Sequence, residues 1–178
     1  LGIGLLDHGH QVVILSNQTP EDIKNGRVTS SQCMFDMALA YERRLGINFW
    51  DQTCPQVNGI SLTLGGPDST PALQWQARLD MPAQSVDQRV KMPVWMAEFT
   101  KRGGEIRYVD AGIAEIEALE KECDLVLIAS GKGEIGKLFE RDAEKSAFDK
   151  PMRSLALTYV HDMVPREPYS AVDFSIAP

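Results

Sequence analysis

The chain has 178 residues, 43% of them hydrophobic, and carries a formal net charge of −7. A chain of this size and composition buries a core in one domain or two small ones, which excludes disorder as its main state. Its apolar runs, such as Leu125–Ala129, are far shorter than the roughly 20 residues of a membrane-spanning helix. The negative charge excludes nucleic acid and anionic lipid as natural partners and favours a small neutral molecule.

The three cysteines, Cys33, Cys54 and Cys123, form an odd set without a CxxC pair. This usage predicts reduced, structural thiols in a cytoplasmic protein. The sequence starts at Leu1, inside an apolar stretch, and stops at Pro178 directly after an alternating segment. We expect both ends to be incomplete relative to the natural protein.

The first elements have the pattern of a βαβ unit that lacks its first strand. Small and apolar residues over Leu1–Leu6 predict a helix, which Gly9 ends. The unbroken apolar run Val12–Leu15 predicts a strand buried on both faces of a parallel sheet. Helical spacing then predicts a helix from Met34 to Leu45, with Gly46 as its C-terminal cap.

The next region has a different periodicity. Apolar and polar residues alternate over Ile60–Leu64 and over Leu73–Ala77, with Gly65–Asp68 between them. This pattern predicts an antiparallel pair in a sheet separate from that of Val12–Leu15.

The second half returns to the α/β pattern. Ser85–Gln88 has the form of a capping box before a helix that ends at Lys101–Gly104, with Pro93 in its first turn or at a kink. The remaining predicted elements are a strand Glu105–Val109, a helix Ile113–Glu122, a buried strand Leu125–Ala129 parallel to Val12–Leu15, and alternating strands Leu155–Val160 and Ala171–Ile176.

Features of a dinucleotide site are incomplete. The glycine loop that brings helix amides to a pyrophosphate would lie before Leu1. The strand that ends at Leu15 is followed by Asn17, which can hydrogen-bond a hydroxyl, in place of the usual acidic residue. Ser130 and Gly131 follow a predicted strand at the edge where open α/β sheets bind ligands. A generic buried βαβ unit with a plain turn explains the same residues.

The guanidinium groups of two arginines match the geometry of a phosphate. The residue patterns of metal sites, of nucleophile-elbow hydrolases and of P-loop proteins are missing. Arg27 and Arg89 can each pair bidentately with a pyrophosphate or serve as surface residues. The histidines have no partners at metal-ligand spacing, and no Gly-x-Ser-x-Gly elbow or P-loop occurs.

Five segments resemble the oxygenase components of group E flavin-dependent monooxygenases, the styrene and indole monooxygenases. They are Leu1–Leu6, Asn25–Val28, Pro82–Arg89, Asp124–Gly133 and Lys145–Arg153. The resemblance implies a fold of the p-hydroxybenzoate hydroxylase type. It also implies reduced FAD supplied by a separate NADH-dependent reductase, O₂ as co-substrate, and a flavin C4a-hydroperoxide that epoxidises a carbon–carbon double bond.

Alignment to this family indicates the indole branch. At six pocket positions the chain carries the residues of the indole type instead of those of the styrene type: Ser30, Gln32, Met34, Val57, Ile60 and Ala83. An apolar slot with one or two polar groups suits a flat bicyclic ring bearing an N–H. For flavin binding the resemblance implies Arg27 and Arg89, and it assigns no catalytic side chain. Asn17, Ser130 and Gly131 join the predicted cofactor-binding residues because they follow predicted strands.

The sequence therefore predicts an α/β protein in which a Rossmann-like FAD-binding domain is interleaved with an antiparallel substrate-binding sheet. The FAD-binding part would comprise residues 1–54 and 83–150, and the substrate side 55–82 and 151–178. The predicted function is oxidation of indole, a small aromatic substrate, to indoxyl and then indigo, without a metal. Styrene epoxidation is the alternative in the same family, and a non-catalytic nucleotide-binding domain is the alternative from another class.

Overall fold

A computed structural model describes residues 1–28, 32–67, 70–130, 134–138, 140–150, 156–164 and 166–176. They form a mixed α/β structure with one parallel and one mixed sheet. The elements in chain order are α1 (Gly2–Asp7), β1 (Val13–Ser16), α2 (Pro20–Asn25), α3 (Asp36–Arg44), β2 (Val57–Gly65), β3 (Pro71–Ala83), α4 (Gln88–Lys101), β4 (Glu105–Tyr108), α5 (Ile113–Glu122), a 3₁₀ helix (Glu134–Leu138) and β5 (Ala171–Ile176).

The parallel sheet consists of β1 and β4. Val13 pairs with Glu105, and the ladder continues to Ser16 and Tyr108. The strand predicted at Val12–Leu15 is thus confirmed with a shift of one residue, but its predicted burial on both faces is wrong, because Ile14 is 36% exposed.

The prediction that Leu125–Ala129 is the parallel neighbour of this strand is wrong. That run forms no strand and exposes Leu125, Leu127 and Ile128 to solvent. A strand needs a neighbour for its backbone hydrogen bonds. No described strand pairs with this run, and β1 pairs with β4 instead.

The hydrophobic core lies where α1 and α4 meet the segment after α3. Ile3, Ile47 and Phe99 are buried there, and Trp95 and Ile106 pack against them. Gly104 lies so close to the Phe99 ring that a Cβ at that position would overlap it. Glycine at this position therefore lets the chain turn from α4 into β4 against the buried ring.

The helices follow most of the sequence signals. The C-terminal turn of α3 is closed by Gly46 with φ +64°, and α5 has the predicted bounds. The capping-box prediction at Ser85–Gln88 is wrong, because Asp87 is the N-cap of α4 and its carboxylate accepts the amide N–H of Arg89 at 2.8 Å. Pro93 lies inside α4.

Helix α2 was not expected from the sequence. Its six residues are mostly polar, and it packs against α4. Thr19 and Asp22 form a reciprocal capping box at its start, in which the Thr19 hydroxyl and amide both donate to the Asp22 carboxylate. These bonds lower the pKa of Asp22, with the side-chain bond from Thr19 as the largest cause.

The mixed sheet has the order β3-β2-β5. As predicted, β2 and β3 are antiparallel, and Leu62 pairs with Trp75. The predicted strand Ala171–Ile176 is confirmed as β5, which runs parallel to β2. The predicted strand Leu155–Val160 is wrong for residues 156–160, which have no strand partner and lie exposed, and residue 155 lies outside the described residues.

This sheet has one apolar and one polar face. Directly opposed residues share a face and successive residues alternate, so the register sorts the side chains into rows. The apolar rows are Ile60–Ala77–Val172, Leu62–Trp75–Phe174 and Leu64–Leu73–Ile176; the polar rows are Ser61–Gln76–Asp173 and Thr63–Gln74–Ser175.

The polar face is partly covered by the segment before β5. Arg166 pairs with Asp173 at 3.0 Å and donates to the Gln76 amide oxygen at 2.6 Å. The Tyr169 ring lies over Gly59, where no larger residue would fit beneath it. Among the described residues, no helix has the length and apolar character needed to cross a membrane.

Candidate functional site

Three of the predicted pocket residues lie in adjoining backbone pairs. Val57 pairs with the fully buried Ala83 at the ends of β2 and β3. The next residue, Gln84, exchanges two backbone hydrogen bonds with Met34, of 2.7 Å and 3.0 Å. Because successive residues of an extended chain point to opposite faces, Met34 and Gln84 lie on the face opposite Val57 and Ala83.

Gln84 is held by a charged network. Its side chain is buried, and its Nε2 donates to Asp51 Oδ1 at 2.6 Å. Arg43 donates to both carboxylate oxygens of Asp51, with Nε 3.0 Å from Oδ2 and Nη2 3.0 Å from Oδ1. The hydrogen bond from Arg43 is the main reason that the pKa of Asp51 lies below its ordinary value, and Gln84 contributes in the same direction.

Ile60 belongs to the apolar face of the mixed sheet. It is half-buried and lies opposite Ala77 and Val172. Further along this face, Trp75 and Phe174 remain 43% and 47% exposed. A contiguous exposed apolar surface of this kind marks a site for an apolar ligand or another protein surface.

Only one of the other two predicted pocket residues, Gln32, lies within the described residues. Gln32 is exposed, and its side-chain oxygen accepts a hydrogen bond from Gln88 Nε2 at 2.8 Å. Ser30 lies outside the described residues. The structure thus pairs Val57 with Ala83, connects Met34 to this pair through Gln84, and places Ile60 on a different part of β2.

The predicted flavin-binding residues differ in how well they suit an anionic cofactor. Arg27 is exposed and has no carboxylate partner within the described residues, so its charge is available for a phosphate. Asn17 is exposed directly after β1, at the carboxyl end of a parallel strand. Ser130 is exposed, and Gly131 lies outside the described residues.

Arg89 is already compensated by an acid. Its guanidinium donates to both oxygens of Asp87, with 2.7 Å between Nη2 and Oδ2, and its Cζ lies 5.8 Å from the Tyr159 ring centroid. This hydrogen bonding raises the pKa of Arg89 and lowers that of Asp87. Arg27 and Asn17 therefore fit a flavin phosphate or ribose, whereas Arg89 offers little free charge.

The described residues contain no group of three or more His, Cys, Asp or Glu side chains able to hold a metal ion. Among the described residues, shallow hollows include two that lie away from the predicted pocket residues. One lies between the start of α5 and the 3₁₀ helix, and the other is on α3 around Tyr41 and Arg44. Neither hollow contains a predicted pocket residue.

Comparison with known proteins agrees with the family indicated by the sequence. A family model described as the styrene monooxygenase A putative substrate binding domain matches residues 131–178. The styrene monooxygenase StyA of Pseudomonas fluorescens is 28% identical over 178 residues, which is 100% of this chain and 42% of that protein. A second StyA, from Pseudomonas sp, is 27% identical with the same coverage.

The chain is similar to styrene monooxygenases. It spans about 42% of the length of these curated relatives. The segment that matches the substrate-binding family model includes β5, which contributes Val172, Phe174 and Ile176 to the apolar face. The segment that matches the substrate-binding family model therefore forms one part of the apolar face.

Sequence reasoning missed Asp51 and Gln84, which link the predicted pocket residues to α3. Gln84 stands inside the Pro82–Arg89 segment that carries part of the family resemblance, which is a signal for its position. Asp51 lies in a connector without periodicity, and apart from the nearby Asn48 its partners Arg43 and Gln84 are 8 and 33 residues away. No local pattern could have indicated that network.

Proposed function

We propose that this chain forms part of the oxygenase component of a two-component FAD-dependent monooxygenase, and that indole is its substrate. The observation that carries the proposal is the exposed apolar face of β2, β3 and β5, which includes Ile60 and overlaps the match to a substrate-binding family model. Flat, neutral aromatic molecules bind such surfaces by apolar contact and by stacking on Trp and Phe rings.

Within this proposal each part of the chain has a separate role. Residues 1–54 and 83–150 contribute to the FAD-binding domain, and residues 55–82 and 151–178 form the substrate side. Arg27 and Asn17 hold the phosphate or ribose of the cofactor. When bound in reduced form, the flavin activates O₂ and supplies the oxygen atom that is transferred to the substrate.

The side chains orient the ring and keep water out. Trp75, Phe174 and Ile60 present no hydrogen-bonding group to an aromatic ring except the Trp75 indole N–H, so the substrate is held by its faces and edges. Excluding water from an oxygen-transfer site suppresses the competing release of peroxide. In the proposed reaction the pyrrole double bond of indole is epoxidised. The epoxide then opens to indoxyl, and air oxidises indoxyl to indigo.

Styrene is the second candidate substrate, and a specific observation favours it. Both curated relatives are named as styrene monooxygenases. The apolar face suits either ring system, since pockets of this kind discriminate weakly between substrates that differ by a few atoms.

The test is a direct competition. The whole oxygenase, supplied with FAD, NADH, air and an NADH-dependent flavin reductase, is given equal concentrations of indole and styrene. Blue pigment and styrene oxide are measured together, with a reaction lacking the reductase as the control. If indole is consumed preferentially, the proposal is supported. If styrene is consumed preferentially, styrene replaces indole as the proposed substrate. Turnover of neither compound would leave the non-catalytic nucleotide-binding domain as the better description.

A further inference from the structure

Asp51 is the centre of the hydrogen-bond network that reaches the Met34–Gln84 pair. Its Oδ1 atom accepts from Gln84 Nε2 at 2.6 Å, from Arg43 Nη2 at 3.0 Å and from Asn48 Nδ2 at 3.2 Å. Arg43 is in turn fixed by Asp36, at 3.2 Å. The connector after α3 is thereby tied to the chain immediately after β3.

Burial makes the bond from Gln84 to Asp51 consequential. Gln84 is only 4% exposed, so its amide has little water with which to replace a lost partner. A buried polar group left without a partner has a substantial free-energy cost, which favours movement of the side chain or its backbone. Asp51 therefore restrains Gln84 in one position.

Gln84 passes this restraint to Met34 through the backbone. The amide of Met34 donates to the Gln84 carbonyl at 2.7 Å, and the amide of Gln84 donates to the Met34 carbonyl at 3.0 Å. Within the part of the chain that the structure describes, this bridge is isolated, with no continuing ladder on either side of Met34. A single bridge between two segments is easily displaced unless side chains hold it, and the Asp51–Gln84 bond does so on one side.

We propose that Asp51 is a positioning residue for substrate selection: it fixes Gln84, which fixes Met34 at the wall of the substrate pocket. The role rests on the proposed function and on the family resemblance, which implies that Met34 lines the substrate pocket. Asp51 does not touch the substrate. Removal of the Asp51 carboxylate leaves the side chain of Met34 intact, but the backbone that positions this side chain is no longer restrained.

The experiment compares four variants of the whole oxygenase. Asp51→Ala removes the acceptor, and Gln84→Met removes the donor while keeping the buried volume. Asp51→Asn retains an oxygen that can accept from Gln84. Asp7→Ala is the matched control, because Asp7 also pairs with an arginine, Arg102, at 3.2 Å but has no contact with this network.

Two measurements are made on each protein. Amide hydrogen exchange at Met34 and Gln84 reports on the bridge, and competition between indole and styrene gives the ratio of specificity constants. For Asp51→Ala and Gln84→Met we expect faster exchange at both amides and a change of about tenfold in the ratio, the low end of the effect of a methylene-sized change in an apolar pocket. Asp7→Ala should behave like the parent in both measurements. Asp51→Asn should come closer to the parent than Asp51→Ala, because its amide keeps the acceptor for Gln84 but replaces one acceptor of Arg43 with a donor.

Unchanged exchange in Gln84→Met would overturn the proposal, because the side-chain bond would then not hold the bridge. Faster exchange with an unchanged substrate ratio would also overturn it, since the network would be structural only. A parent oxygenase that oxidises neither substrate would overturn the proposed function itself, and the role of Asp51 in selectivity would fall with it. If Asp51→Ala does not fold, Gln84→Met and Asp51→Asn still decide between these outcomes.

Discussion

Lys91 of α4 and Glu42 of α3 form a buried ion pair, with 2.5 Å between Nζ and Oε1 and side chains only 4% and 7% exposed. The ammonium group also lies 4.5 Å from the Trp95 ring centroid and 5.9 Å from that of Trp50. The second carboxylate oxygen of Glu42 has no hydrogen-bond partner within the described residues. A pair in this setting stabilises the contact between the two helices only while both charges are present.

Lys91→Met should lower the free energy of unfolding by about 3–5 kcal/mol, the cost of leaving one charge of a buried pair uncompensated. Urea unfolding followed by circular dichroism measures this without relying on tryptophan emission, which the substitution itself would alter. The matched control, Lys101→Met, removes a lysine that is 77% exposed and pairs with Glu98, and should cost less than about 1 kcal/mol. Equal effects of the two substitutions would contradict the stabilising role of the buried pair.

Local periodicity predicted most of the elements, whereas pairing between distant segments could not be predicted. The alternation over Ala171–Ile176 and the helical pattern over Ile113–Glu122 gave elements with the observed bounds, because each pattern has the side-chain period of its element. Leu125–Ala129 has an equally strong apolar run, but a strand also requires a partner, and composition does not contain that information. Helix α2 could have been predicted from the capping box of Thr19 and Asp22.

In the candidate site, too, some features were predicted from the sequence and contacts between distant segments were not. Family alignment indicated Met34, Val57 and Ala83, and the fold brings these three into adjoining pairs. The contacts that hold Gln84 depend on an aspartate in an irregular connector, where no periodicity exists to interpret. The pairing of Arg89 with Asp87 was also not predicted, although the two residues are separated by one position.

Asp87 should make folding stability depend on pH in the acid range. Its pKa lies below the ordinary value of about 3.9, chiefly because the Arg89 guanidinium donates to its carboxylate, with a further bond from the Arg89 amide. A carboxylate with a lowered folded-state pKa contributes stability that is complete above the unfolded pKa and is lost as the pH falls through the folded value.

Asp87→Asn keeps a good N-cap residue but removes the ion pair. The stability difference between parent and variant should therefore be largest near neutral pH and shrink as the pH falls below about 4. Thermal unfolding between neutral and acid pH measures it. Asp80→Asn, at an exposed aspartate of β3 that has no ion pair within the described residues, is the control and should track the parent. A stability difference for Asp87→Asn that does not change with pH would contradict the role of the pair.

The indole assignment predicts a change of substrate preference on combined substitution. Ser30→Asn, Gln32→Val and Met34→His together should shift the ratio of specificity constants toward styrene by about tenfold, because selectivity is the difference in transition-state binding set by the pocket walls. Competition between the two substrates measures the ratio. Met37→His is the control, since Met37 is 80% exposed on α3 and should leave the ratio unchanged. An unchanged ratio in the triple variant would remove the indole assignment and leave the family similarity in place.

The two predicted flavin-binding arginines should differ in effect, because only one has its charge free. Arg27 has no carboxylate partner within the described residues, so Arg27→Gln should weaken binding of reduced FAD by about 1.5–3 kcal/mol, the range of a hydrogen bond to a charged group. Arg89→Gln should have a smaller effect, because Asp87 already compensates the guanidinium at 2.7 Å. Anaerobic titration of the whole oxygenase with reduced FAD measures both.

Arg44→Gln is the control for these two variants. Arg44 lies over the Tyr41 ring on α3, 5.0 Å from its centroid, and its variant should bind flavin like the parent. If Arg27→Gln also binds like the parent, Arg27 lies outside the flavin site; if Arg89→Gln proves the more damaging, the pairing with Asp87 must open when the cofactor binds.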